Sequence, residues 1–148
     1  MMDAIPRKDF ISTFADLSGH DADEVVELTA RLDAVSGITS RAANNELYFC
    51  FVADNIAHSF LTFTIANERA AIYIEPNGTK EFMKNHGLFP FESEQFLDDF
   101  KHYLSSTHAQ LSYPYGNRFY ADVDEVIYNM DSFIDIVQKF MDTIYYHD

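Results

Sequence analysis

The chain reads as a single α+β domain over residues 1–148, with an antiparallel meander of three to four strands packed against helices on one face. Apolar residues recur at helical spacing near both ends, whereas the middle of the chain changes to strand spacing. No linker, internal repeat or low-complexity segment divides the sequence. Apolar residues make up 47% of it, with 14 Phe and 9 Tyr to fill a core, so a chain of this length can bury a sizeable interior.

The first helix is expected from Pro6 to Leu17. Phe10, Phe14 and Leu17 lie at spacings of four and three, Pro6 suits the first turn, and Gly19 suits the end. A second helix follows an N-cap at Asp21, with Glu24 completing a capping box. Val25, Leu28, Leu32 and Val35 form its stripe, and Gly37 is expected to close it.

Leu47 to Val52 is a short apolar run rich in aromatics, which predicts a buried strand. Phe60 to Ile65 alternates, with Leu61, Phe63 and Ile65 on one face and Thr62 and Thr64 on the other. Ala70 to Glu75 gives a third strand, joined to the second by the hairpin-length Ala66-Asn67-Glu68-Arg69, which lacks a glycine.

Pro76-Asn77-Gly78 breaks the sheet, and Thr79 caps a short helix ending near Gly87. Ser93 opens a longer helix with Phe96, Leu97, Phe100, Tyr103 and Leu104 on one side. Tyr113 to Asn117 is a turn, and Arg118 to Val123 is extended. The last helix runs from about Asp131 to Tyr145, with Phe133, Val137, Phe140 and Ile144 as its stripe. The expected core is Phe49, Phe51, Leu61, Phe63, Ile65, Ile72, Ile74, Phe100, Val137 and Phe140.

Charge is the strongest functional signal. Acids outnumber Lys and Arg 24 to 10, a formal charge of -14. A chain this apolar is not a disordered acidic tail, so the charge belongs on the outside of a folded body. Such a surface repels nucleic acid and steers toward basic partners. Residues 92–148 hold 11 acids and 3 bases, against 13 and 7 in residues 1–91. They also hold Tyr113, Tyr115, Tyr120, Tyr128 and Tyr146, which read as exposed. Tyrosine supplies rigid contact area and carboxylates supply attraction, so the predicted contact set for a basic protein partner is Glu94, Asp98, Asp99, Tyr115, Tyr120, Asp122, Asp124 and Glu125.

Chemistry finds little footing. His20, His58, His86 and His147 stand alone, His102 and His108 are six apart, and one cysteine cannot anchor a zinc site. Cys50 lies within Tyr48-Phe49-Cys50-Phe51, where a thiol behaves as a small hydrophobe. No nucleophile elbow or phosphate-cradling glycine loop occurs. Glu75 and Lys80 are split by Pro76-Asn77-Gly78, unlike an acid and lysine on one nuclease strand. No catalytic, metal or cofactor residue is therefore assigned.

The single cysteine, the lack of an apolar leader in Met1–Lys8 and the lack of a stretch of roughly 18–20 apolar residues lead to the expectation of a cytoplasmic protein without a membrane partner. The function expected is a small acidic non-enzymatic binding protein of the immunity or inhibitor type, occluding a basic toxin or nuclease-like partner. The alternatives are an acidic secretion-type chaperone, a nucleic-acid mimic that evades host defence, and an enzyme using a carboxylate pair.

Overall fold

The computed structural model describes residues 6–53, 55–74, 98–103 and 119–145. Within them, helices α1 (Arg7–Ser18) and α2 (Ala22–Ala34) precede strands β1 (Ile38–Ala43), β2 (Glu46–Ala53), β3 (Ile56–Ala66) and β4 (Arg69–Ile74). A helical turn at 98–100 continues into a 3-10 turn, Lys101–Tyr103. Strand β5 (Phe119–Ala121) and helices α3 (Val123–Tyr128) and α4 (Met130–Tyr145) complete the order. All five strands pair antiparallel, in the order β1-β2-β3-β4-β5. The α+β layout is as the sequence predicts, with one strand more at the β1 edge. The expected helix at Thr79–Gly87, most of the helix from Ser93, and the turn at Tyr113–Asn117 lie outside the described residues.

Helix α1 ends where Gly19 takes a left-handed φ of 78°, its N–H donating to Asp16 O and the His20 N–H to Ala15 O. A Cβ at Gly19 would meet nothing within 4 Å, so the backbone angle alone demands glycine. Helix α2 begins with the expected capping box, the Asp21 N–H donating to Glu24 Oε1 at 3.1 Å. It stops earlier than Gly37, at an extended Val35, and Gly37 (φ 94°) instead turns the chain into β1. Strand β1 holds no alternating apolar signal, because it is a half-exposed edge. Pairing with β2 sustains it, and so does a polar clasp in which Arg7 donates to Ser40 Oγ (2.7 Å), Ser40 donates to Asp33 Oδ1 (2.8 Å), and Arg7 pairs with Asp33.

The core lies between one sheet face and the helices. Leu47, Phe49, Leu61, Phe63, Ile72 and Ile74 meet Phe10, Phe14, Leu28, Phe133 and Val137, all buried. Phe14 packs on Phe63 and Phe63 on Phe49, both at 5.3 Å between ring centres. The expected core residues are buried, except Ile65, which is partly so. Leu17, placed on the α1 stripe by spacing, is 39% exposed.

A β-bulge shifts the β2–β3 register between Phe49 and Cys50, so that Leu61 opposes Phe49 while Ser59 opposes Cys50. The extra residue is Phe60. It reverses the alternation and lets the neighbours Phe60 and Leu61 both enter the core, Phe60 reaching Phe140 at 5.4 Å.

The opposite sheet face carries a hydrogen-bonded row. Glu46 accepts from Tyr48 (2.6 Å) and Tyr73 (2.8 Å), Tyr73 packs on Tyr120, and the Arg41 guanidinium lies 5.0 Å over the Tyr48 ring. Cys50 sits there, 2% exposed; burial pushes its thiol up, partly offset by Arg41. Cys50→Ser should destabilise by about 1–3 kcal/mol, since a buried hydroxyl loses water without a guaranteed partner. Native protein should label slowly with a thiol reagent, and fast labelling would refute burial. The raised folded pKa also has a sign: above the unfolded value near 9.0 the unfolded thiol ionises first, so this contribution falls as pH rises. Cys50→Ala should flatten that alkaline decline in melting temperature.

The β3–β4 hairpin turns on Asn67 (φ 54°) and Glu68 (φ 61°), a type I′ geometry without glycine. A Cβ at left-handed φ costs roughly 1–2 kcal/mol, which Asn tolerates better than Glu. Glu68→Gly should therefore raise stability by about 0.5–1 kcal/mol after the entropy of glycine is subtracted. A chemical denaturation midpoint that does not rise would contradict this.

Candidate interaction surface around α2, α3 and α4

The acidic surface is assembled by packing of α2 against α3 and α4. Each helix hides an apolar stripe: Val25, Leu28 and Leu32 on α2, Val126 and Ile127 on α3, Phe133, Val137 and Phe140 on α4. The opposite sides face outward, and there lie Asp23, Glu27 and Asp33, then Asp124 and Glu125, then Asp131, Asp135 and Asp142, all exposed. The only basic residues of these three helices are Arg31 and Lys139. Arg31 is held by Asp131 at 2.7 Å, Lys139 lies 3.7 Å from Asp99, and Asp33 is taken by Arg7 of α1, so Asp23, Glu27, Asp135 and Asp142 are left without a cation among the described residues.

At one end of this surface His20 is clamped. The left-handed Gly19 turn delivers its ring, 4% exposed, to the space between α2 and α3. Nε2 lies 2.6 Å from Asp124 Oδ1 and Nδ1 lies 3.4 Å from Glu24 Oε1. One nitrogen donates in either neutral tautomer; both donate only in the protonated ring. The ring edge also meets Tyr128, 5.6 Å between centres. Tyr128 is itself 72% exposed.

The predicted contact residues separate into distinct places. Asp124 and Glu125 lie on the acidic surface, Asp124 engaged with His20 and Glu125 accepting from Asn129 at 3.1 Å. Asp122 is the N-cap of α3, its carboxylate accepting from the Asp124 N–H at 2.9 Å. Asp98 pairs with Lys101 (3.3 Å) and Asp99 faces Lys139. Their short segment is pinned at its far end, where the Asp122 N–H donates to Tyr103 O and the Tyr103 ring packs edge-on to Phe133. Burial there raises the Tyr103 phenol, a Ser132 hydrogen bond lowers it, and Asp135 and Glu125 raise it further. Tyr120 departs from the exposed position its sequence context predicts: it is 7% exposed and lies in β5 with its ring against Tyr73. Alternation along β5 sends Ala121 into the main core and Tyr120 to the opposite sheet face, where it is buried beside Ala71 and Tyr73. Glu94 and Tyr115 lie outside the described residues.

The predicted contact set omits α2, whose outward acids lie in the first half of the chain, and it omits His20. The spacing of His20 and Glu24 is a legible helix-start signal, but Asp124 is 104 positions away and only the fold brings it near. Among the described residues no group of three or more His, Cys, Asp or Glu is arranged to hold a metal ion, and no helix is long and apolar enough to cross a membrane. Comparison with protein-family models, with curated proteins and with solved structures finds no match.

Because His20 joins the α1–α2 turn to α3 while nearly fully buried, His20→Ala should lower stability by about 1–3 kcal/mol. His20→Gln, which keeps a donor, should lose less. Equal melting temperatures for wild type and His20→Ala would show that the clamp holds nothing.

Proposed function

We propose that this chain is a non-enzymatic binding protein that captures a basic protein partner, in the manner of an immunity or inhibitor protein occluding a toxin or nuclease-like molecule. The supporting observation is one-signed: α2, α3 and α4 turn carboxylates outward while their two cations are engaged with acids. An uncompensated acidic face raises the encounter rate with a positive partner and rejects negative ones. The secretion-chaperone alternative calls for a broad exposed apolar surface. Among the described residues the large exposed apolar side chains are Leu17, Val26, Val52 and Tyr128, which favours the first reading. A cytoplasmic setting accords with it, since a buried, unpaired Cys50 requires no oxidising compartment.

The test is to recover the partner by affinity purification from the source cells and measure its kinetics at two salt concentrations. Between about 0.05 and 0.5 M salt the screening length falls from about 14 to about 4 Å, so association should slow by at least about tenfold. Charge reversal at exposed Asp23 and Asp135 should lower the on-rate about tenfold and change the off-rate by less than about threefold. A partner that is acidic, or whose association ignores both salt and these reversals, would sink the proposal.

A further inference from the structure

Between α2 and the α3–α4 junction runs a groove of about 420 Å³, its walls including Glu27, Arg31, Tyr128, Asn129, Asp131 and Ser132. Tyr128 stands out in it. The other tyrosines described with their side chains are buried or half-buried, at positions 48, 73, 103 and 120, whereas Tyr128 is 72% exposed. Its ring is nevertheless positioned, because His20 meets it edge-on and is itself fixed by Asp124 and Glu24. An aromatic ring held in place before binding loses little conformational freedom on contact, and this is the property of a good anchor.

The charges beside the ring select the occupant. Glu27 is exposed and makes no ion pair among the described residues, and the carboxylate of Asp131 is 91% exposed even while it holds Arg31. A π face flanked by two accessible carboxylates attracts a cation, and a planar guanidinium stacks on it better than an ammonium. The same chain already makes that contact internally, with Arg41 5.0 Å over the Tyr48 ring. We infer that the groove seats an arginine side chain of the basic partner, stacked on Tyr128 and shared between Glu27 and Asp131. This inference rests on the reading of the chain as a binder of a basic protein, and supplies that reading with its anchor.

The experiment uses the full chain, ¹⁵N-labelled, titrated at low salt with nona-arginine and nona-lysine peptides. The expected result is amide shifts concentrated at 27–31 and 127–132, with nona-arginine binding more tightly than nona-lysine. Tyr128→Ala removes no charge, so it should weaken nona-arginine binding by about fivefold or more only if the ring is an anchor. Tyr128→Phe should keep most of the affinity, and an unchanged melting temperature for both variants would certify the fold. If nona-arginine binds Tyr128→Ala as well as wild type, or shifts amides evenly over every acidic helix face, the groove inference is overturned while the acidic-binder reading stands. If neither cationic peptide binds, both fall.

Discussion

Contact between aromatic rings of α1 and the sheet is the interaction on which the rest of the structure depends. Phe14 rests on Phe63, Phe63 on Phe49, and Phe10 on Phe14 at 5.9 Å. Each fully buried phenylalanine contributes roughly 1.5–3 kcal/mol, whereas an exposed ion pair contributes about 0–1 kcal/mol. That difference decides which forces hold the molecule. A chain with 24 acids and 10 bases cannot be assembled by charge, and its self-repulsion must be outweighed by apolar burial. The bulge at Phe60 extends the same ring packing to α4, through Phe140, which lies 6.2 Å from Phe51 and 5.4 Å from Phe60. The helices that carry the acids are thus fixed from beneath by apolar contacts that charge screening does not weaken.

The scarce cations then act locally. Arg7 ties α1 to α2 and β1 through Asp33 and Ser40, Arg31 ties α2 to α4 through Asp131, and Lys139 faces Asp99. Arg41 is spent on the Tyr48 ring and on Cys50. These pairs set orientation more than they add stability. Their placement leaves Asp23, Glu27, Asp135 and their neighbours as a face of nearly one sign, fixed in position by a rigid scaffold.

Much of this was legible in the chain. Helical period with its end signals locates α1, α2 and α4, a short aromatic-rich apolar run locates β2, and the alternation of Leu61, Phe63 and Ile65 assigns the buried face of β3. Where legibility failed, the cause was physical. Strand β1 carries Thr39, Ser40 and Arg41 at an edge that faces water, so pairing and the Arg7 clasp form it without an apolar pattern. Helix α3 is six residues long, too short to show a helical period, and the role of Asp122 as its N-cap is not legible because an N-cap and a surface acid look alike in sequence. Phe60 and Leu61 as adjacent core residues break strict alternation, a doublet that only a bulge reconciles. The candidate surface was half legible: Asp124 and Glu125 were singled out, whereas the joining of α2 to them depends on tertiary packing across about a hundred positions.

That joining gives the surface two separable parts. Spread carboxylates act at a distance through a field that salt screens, and they govern how often a partner arrives. A positioned ring acts only in contact, where screening reaches less than it does at a distance, and governs how long a partner stays. In this fold both parts share one support. Asp124 belongs to the acidic face and also holds His20, and His20 props Tyr128. The same carboxylate therefore contributes to attraction outside and to order inside, and the antiparallel sheet beneath, through its phenylalanines, keeps the two roles in register.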